Sequence, residues 1–224
     1  MNHTLTSFIR RTITGSILAT LFFILFFWCN PFYLSLILAG CALYIVCVEW
    51  PLLVDLRRAS SWMLTIIYPV MPFCMMVILN QDPAYRNLLL YLIILVSAHD
   101  SGSYIVGSLI GKHRIAPSIS PGKTWEGFIG GYISACLALS VLLLLNSKKL
   151  SHIPKLAALT LVVCGIGLLG DLFESWLKRQ AHVKDSGALL PGHGGLLDRF
   201  DGIMFAAIVF FLFNQQLTAL FLLS

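Results

Sequence analysis

Acidic residues are scarce in this chain, and most of them fall in two short windows. The 224 residues include only ten Asp and Glu. Seven of these lie in the two windows: Asp100 and Glu126 in the first, and Asp171, Glu174, Asp185, Asp198 and Asp201 in the second. A charge at the centre of a bilayer costs about 2.5–3.5 kcal/mol on insertion scales. Grouping such costly residues between apolar runs therefore indicates a functional site.

The second window has carboxylates at helical spacing. Four residues at positions i, i+3, i+4 and i+7 share one face of a predicted helix: Asp171, Glu174, Ser175 and Lys178. Asp198 and Asp201 are three apart and share a face where the next helix begins. Converging carboxylates make a hard-oxygen site that suits Mg²⁺ rather than zinc, and a cation relieves their repulsion. The predicted metal ligands are Asp171, Glu174, Asp198 and Asp201.

Basic residues accompany these acids and suit phosphate groups. The phosphate-binding candidates are Lys178, Arg179, Lys184 and Arg199. The segment 191–195, PGHGG, allows its backbone to approach a ligand closely. Within it, His193 either binds phosphate or shuttles a proton, or is a solvated or capping residue.

The first window, residues 99–127, combines a helix face with a hydroxyl-rich turn. Asp100, Tyr104, Gly107 and Gly111 recur at helical spacing, and the two glycines allow another backbone to pack closely. Hydroxyls, amides and a cation before a new helix then predict an anion site at Ser118, Ser120, Lys123 and Thr124. Glu126 follows near the start of that helix, and it and Asp100 of the preceding helix are the other predicted substrate-binding residues. The P-loop spacing is absent. An ordinary helix cap is the alternative reading of the turn.

The composition of the chain indicates that these windows belong to an integral membrane protein. Hydrophobic residues make up 58% and charged residues 11%, with a mean hydropathy of +0.86, whereas soluble domains carry about 25% charge. We expect an all-α polytopic transmembrane helix bundle forming a single domain, with apolar N-terminal spans in 1–86 and a catalytic half in 87–224. Seven spans are predicted: 12–29, 32–49, 62–79, 87–110, 127–145, 156–177 and 202–223.

The distribution of bases predicts the orientation. With the N-terminus inside, eleven of the fifteen Lys and Arg lie in cytoplasmic segments and four in outer loops. The N-in, C-out arrangement opens a polar cavity to the cytoplasm, although the basic loop 146–155 opposes it. The first apolar run is expected to be an uncleaved span. Six cysteines in apolar runs, without a CxxC pair, are predicted to be buried free thiols.

The residues from Ser175 to Asp201 resemble the signature of phosphatidate cytidylyltransferases, also called CDP-diacylglycerol synthases. The similarity lies in SxLKR, in KDxG at 184–187, and in LPGHGGLxDRFD at 190–201. The run from Asp100 to Gly127 also resembles that family, with Ser103 standing where an alanine is expected. The resemblance covers the C-terminal half of the chain, while the N-terminal half is similar only in being apolar.

This resemblance implies transfer of a cytidylyl group from CTP to phosphatidic acid, giving CDP-diacylglycerol and pyrophosphate. It implies Mg²⁺, leaves a second cation open, and places metal ligands at Asp171, Asp198 and Asp201. Residues with catalytic roles would be Lys178, Arg179, Lys184, Asp185, His193 and Arg199. The expected partners are CTP, phosphatidic acid and the bilayer, without nucleic acid; a homodimer stays open. The expected location is the bacterial inner membrane, with the site facing the cytoplasm.

Two other interpretations compete with this one. Intramembrane Asp, Glu and Lys also fit an ion- or proton-coupled transporter, although no inverted repeat is visible. A related nucleotidyltransferase acting on polyprenyl or ether lipids would use the same headgroup chemistry. A structural scaffold is disfavoured because the acids are clustered.

Overall fold

The computed structural model describes residues 2–145, 153–189 and 194–223, and most of the described part is helical. Its α-helices are α1 Asn2–Phe27, α2 Pro31–Tyr44, α3 Trp50–Leu53, α4 Ala59–Thr65, α5 Met71–Gln81, α6 Arg86–Ile110, α7 Trp125–Leu145, α8 Ile153–Gln180, α9 Leu197–Leu212 and α10 Asn214–Leu223. Two π-helical turns, Ile45–Glu49 and Ile66–Val70, join α2 to α3 and α4 to α5. A short antiparallel hairpin pairs β1 Arg114–Ala116 with β2 Ser120–Thr124.

Five helical segments of the described chain are long and apolar enough to cross a membrane. They are Pro31–Leu53, Ala59–Gln81, Arg86–Ile110, Trp125–Leu145 and Ile153–Gln180. This confirms the all-α polytopic fold and makes the chain an integral membrane protein. Among the residues searched, the count is therefore five spans, or six if one bent pair of helices is counted as a single span, where seven were predicted. The first predicted span, 12–29, falls on α1.

The last predicted span, 202–223, is not one continuous helix. The chain bends by 86° between α9 and α10, and the pair makes a sixth span only if both helices are counted together. Polar residues Asn214, Gln215 and Gln216 follow the bend. The predicted span did not include this bend, because a hydropathy window averages over such a polar break.

The chain divides into two compact units, and each mixes early and late parts of the sequence. Unit 1 comprises residues 1–81 and 177–200, and unit 2 comprises residues 82–176 and 201–224. In unit 1, the buried Trp50 donates from Nε1 to Thr65 Oγ1 at 2.7 Å and packs against Tyr68. The rings of Phe73 and Phe200 lie 4.9 Å apart, so the segment 177–200 shares a core with the N-terminal helices.

Unit 2 is built on α6 and α7, which pack along each other. The predicted close approach of another backbone near the end of α6 is confirmed at Gly107, since a Cβ added to Gly127 of α7 would lie 3.3 Å from Gly107 Cα. Aromatic contacts join α8 to α9 through Phe173 and Phe205, and α6 to α10 through Tyr91 and Phe221.

The six cysteines are all free, as predicted, but their burial differs from the prediction. Cys164 is buried, whereas Cys47 and Cys74 are exposed and the other three are partly exposed. The expectation of burial was wrong for these residues because the outer face of a membrane helix is as apolar as its core. An apolar run alone does not tell which face of the helix carries a thiol.

Candidate active site

Unit 2 gathers acidic side chains from three helices around one lysine of the hairpin. We call this group the acid cluster: Asp100 of α6, Lys123 of β2, Asp171 and Glu174 of α8, and Asp201 of α9. Asp201 interacts electrostatically with the other four members. The spacing argument placed Asp171 and Glu174 on one helix face, and the fold brings Asp201 and Asp100 to that face.

Asp171 lies at the centre of the acid cluster. Its side chain is only 7% exposed, and its Oδ2 accepts a hydrogen bond from Lys123 Nζ. Close packing of α8 on α9 fixes its surroundings, since a Cβ added to Gly202 would lie 2.7 Å from Asp171 Oδ1. Lys123 was predicted to bind phosphate from a helix N-terminus. In the structure it lies on a strand and forms an ion pair with Asp171.

The remaining acids of the cluster differ in exposure. Glu174 is fully buried, Asp201 is partly buried and accepts from the Gly202 amide at 3.0 Å, and Asp100 is about half exposed. His99, also buried, lies 3.4 Å from Asp100 through Nδ1 and interacts electrostatically with Asp171. Burying carboxylates is costly unless positive charge or hydrogen bonds compensate. The four carboxyls of the cluster outnumber its single lysine, so Lys123 does not compensate all of them.

Lys123 remains positively charged in this setting. Burial lowers the pKa of its ammonium group, but the charges of Asp171 and Asp100 and the hydrogen bond to Asp171 outweigh burial, so the pKa is raised above its ordinary value. Lys123 is therefore a fixed cation at neutral pH. It neutralises part of the carboxylate charge in the cluster.

The donor set of the acid cluster fits a divalent cation in chemistry and in charge. Asp171, Glu174 and Asp201 supply hard carboxylate oxygens, the ligands that Mg²⁺ prefers. Within the described residues, no three His, Cys, Asp or Glu side chains are already arranged as a metal-binding group. Lys123 instead supplies the positive charge at Asp171. Binding of a cation would require these side chains to adjust around it.

Unit 1 holds the fourth predicted metal ligand, Asp198, in a separate set of contacts. Lys178 Nζ donates to Asp198 Oδ1 at 2.7 Å, and the two side chains are 13% and 7% exposed. Asp198 Oδ2 accepts from the backbone amides of Gly195 at 2.7 Å and Ser186 at 3.1 Å. This carboxylate thus joins α8, the loop that follows it and the first turn of α9.

Glu49 is a further buried carboxylate of unit 1 that the sequence interpretation missed. It is fully buried and accepts from the amides of Leu196 and Leu197, each at 2.7 Å. Along the sequence it lies in the apolar N-terminal half, far from both acid windows. The signal was available, since an ionisable residue inside an apolar run indicates a function.

The hydroxyl-rich turn of the first window forms the hairpin, and its last residue, Thr124, also caps α7. Glu126 accepts from the amides of Lys112 and His113 and pairs with the His113 ring at 2.5 Å, which fastens the base of the hairpin. Thr124 Oγ1 accepts from the amide of Gly127 at the start of α7. Ser118 is exposed and Ser120 is partly exposed, so both stay available to a ligand.

The other predicted catalytic residues lie on the surface of unit 1 or outside the described residues. The exposed ones are Arg179, Lys184, Asp185 and Arg199. His193 lies outside the described residues. The structure therefore places Lys178 and Asp198 in direct contact and presents these other charged side chains to solvent.

Comparison with known proteins gives a family match over most of the chain. Residues 45–217 match the profile described as the cytidylyltransferase family, a range that includes the whole acid cluster, Glu49, Lys178 and Asp198. The chain is 46% identical over 136 residues to a phosphatidate cytidylyltransferase of Haemophilus influenzae, and this alignment covers 59% of the chain and 47% of the relative.

Two further relatives carry the same name. The chain is 50% identical over 117 residues to the protein from Staphylococcus haemolyticus, covering 52% of the chain and 45% of the relative. It is 44% identical over 126 residues to the protein from Bacillus subtilis, covering 56% of the chain and 46% of the relative. The aligned part of the chain thus spans about half the length of the relatives it matches.

Proposed function

The chain belongs to the cytidylyltransferase family, and on that premise we propose that it transfers the cytidylyl group of CTP to phosphatidic acid. The products would be CDP-diacylglycerol and pyrophosphate. The observation that carries this proposal is the identity of 44–50% to proteins named phosphatidate cytidylyltransferase. The acid cluster and the Lys178–Asp198 pair both lie inside the family match, and both suit phosphate chemistry.

The proposed reaction is an in-line displacement at phosphorus. A phosphate oxygen of phosphatidic acid bonds to the α-phosphorus of CTP, and the bond from that phosphorus to the bridging oxygen of the β-phosphate breaks. The electron pair leaves with pyrophosphate. Because the attacking phosphate is already an anion at neutral pH, positioning and charge neutralisation are the main requirements on the protein.

The basic residues meet the requirement for charge neutralisation. Lys123, a fixed cation beside Asp171, would bind a phosphate group when the ligand enters. Lys178 would do the same beside Asp198, and the exposed Arg179 and Lys184 would hold phosphates from the surface of unit 1. These cations would shield two approaching anions from each other.

A magnesium ion would be held in unit 2 by Asp171, Glu174 and Asp201, with Asp100 as a further ligand candidate. Asp198 of unit 1 stays a predicted metal ligand. When bound, it would neutralise the triphosphate and polarise the phosphorus that is attacked. The buried carboxylates of the cluster hold the negative charge that such an ion requires. A second cation is compatible with the same excess of carboxylates.

The membrane location suits a reaction between one soluble and one lipid substrate. We place the site at the cytoplasmic face of a bacterial inner membrane, because eleven of the fifteen basic residues fall in segments assigned to that side. At that face CTP arrives from solution while the acyl chains of phosphatidic acid stay in the bilayer.

The direct test uses purified protein in mixed micelles with CTP labelled at the α-phosphate. With phosphatidic acid and Mg²⁺ we expect the label in a lipid product, whereas label at the γ-phosphate should appear only in pyrophosphate. Diacylglycerol replaces phosphatidic acid as the matched control, and polyprenyl phosphate and an ether-linked phosphatidic acid test the lipid class. The proposal is wrong if phosphatidic acid yields no labelled lipid, whether or not another lipid phosphate does.

A further inference from the structure

We propose that Glu49 is a positioning residue, which holds Ser186, Gly195 and the first turn of α9 in the conformation that Asp198 needs. Its carboxylate accepts hydrogen bonds from the Leu196 and Leu197 amides at 2.7 Å and from Ser186 Oγ at 3.3 Å. All of these residues belong to unit 1. The assignment of a kinetic effect rests on the proposed function, whereas the contacts themselves do not.

The first step in this inference is the unsatisfied backbone at the start of α9. The first amides of a helix have no partner within the helix, and their positive ends favour a negative charge. Side chains from the same turn usually supply that partner. Here Asp198 binds the Gly195 amide, and Glu49 supplies acceptors for the next two amides, Leu196 and Leu197.

The second step is the room made for the Glu49 carboxylate. The three heavy atoms nearest to a Cβ added at Gly187 all belong to Glu49, and the closest of them is Oε1 at 2.7 Å. A Cβ added at Gly195 would lie 2.8 Å from the same oxygen. The two glycines of the loop therefore leave the space that the buried carboxylate fills.

The third step is the link from Glu49 to the Lys178–Asp198 pair. Ser186 donates from its hydroxyl to Glu49 and from its backbone amide to Asp198 Oδ2. Gly195 donates to that same oxygen, and the next two amides donate to Glu49. Moving the Glu49 carboxylate would therefore shift both backbone groups that orient Asp198.

The first experiment measures hydrogen–deuterium exchange by mass spectrometry on the peptide that contains Leu196 and Leu197. In Glu49→Gln one oxygen becomes an amide group that cannot accept, so we expect exchange in this peptide to accelerate by about ten- to a hundredfold. Asn80→Ala is the matched control, since Asn80 is also buried in unit 1 but donates to Pro31 and Ser35. It should leave this peptide unchanged.

A second variant tests the same contact with Glu49 intact. Gly187→Ala places a methyl group against the carboxylate, so the same peptide should exchange faster. In a Glu49→Ala background the methyl meets no carboxylate, and Gly187→Ala should then add little. Equal effects of Gly187→Ala in both backgrounds would overturn the proposal, as would unchanged exchange in Glu49→Gln.

The kinetic readout separates positioning from general damage. We expect Glu49→Gln to lower kcat by about a hundredfold with KM for CTP changed less than threefold, because a displaced catalytic group costs turnover more than binding. Glu49→Asp keeps the charge and should recover part of the loss.

If wild-type protein makes no CDP-lipid, the proposed function fails while the exchange results still decide the role of Glu49. Normal kcat in Glu49→Gln despite faster exchange would contradict positioning.

Discussion

Asp171→Asn and Asp201→Asn should each reduce CDP-diacylglycerol formation by roughly a thousandfold, while the protein still inserts and purifies as a single species. The reason is charge: a metal ion supplies several kcal/mol of transition-state stabilisation, and each 1.36 kcal/mol is worth about tenfold in rate. Removing one carboxylate from the acid cluster also changes the charge that surrounds Lys123 and the remaining acids. The measurement is the initial rate of labelled lipid formation in purified variants.

Asp55→Asn is the matched control for this prediction. Asp55 is exposed and lies outside the acid cluster. Its side chain pairs with Arg58 at 3.7 Å and accepts a hydrogen bond from the Arg57 amide. The same chemical change there should leave the rate within about twofold, since exposed ion pairs contribute little. Retained activity in both purified cluster variants would refute the role assigned to these carboxylates.

Breaking the Lys178–Asp198 pair should impair both stability and turnover. The two side chains are nearly buried, and removing one partner of a buried pair typically costs about 3–5 kcal/mol because the other charge is left uncompensated. Lys178→Met and Asp198→Asn should therefore each lower the free energy of unfolding by about that amount. We expect each to lower the rate of CDP-lipid formation by about a hundredfold or more.

A double-mutant cycle measures the coupling within this pair. The combined variant Lys178→Met/Asp198→Asn removes both charges, so its loss of stability should be clearly smaller than the sum of the two single losses. Lys184→Met serves as a stability control, because Lys184 is exposed and such surface changes usually stay within about 0.5 kcal/mol. Strictly additive losses in the cycle would show that the contact between Lys178 and Asp198 carries no specific energy.

Local sequence patterns predicted the membrane helices and much of the acid cluster. A span needs an apolar run of about 20 residues, which a hydropathy window detects directly. The three-residue spacing of Asp171 and Glu174 placed them on one helix face without knowledge of the fold. The resemblance in the segment 175–201 pointed to the family that the comparison then showed.

The contacts that the sequence interpretation missed depend on distant parts of the chain. Glu49 binds amides 147 and 148 residues further along, and no periodic pattern records such a pairing. The ion pair of Lys123 with Asp171 is similar, because it depends on the hairpin bringing Lys123 to α8. The bend between α9 and α10 was missed because the flanking segments are both apolar.

The most direct test of the central claim measures binding of Mn²⁺, as a probe for Mg²⁺, by electron paramagnetic resonance in the presence of CTP. The acid cluster should make wild-type protein remove more Mn²⁺ from solution than CTP alone removes. Asp171→Asn and Asp201→Asn should lose this additional binding, whereas Asp55→Asn should keep it. Equal Mn²⁺ binding by wild type and both cluster variants would contradict a cation site at these carboxylates.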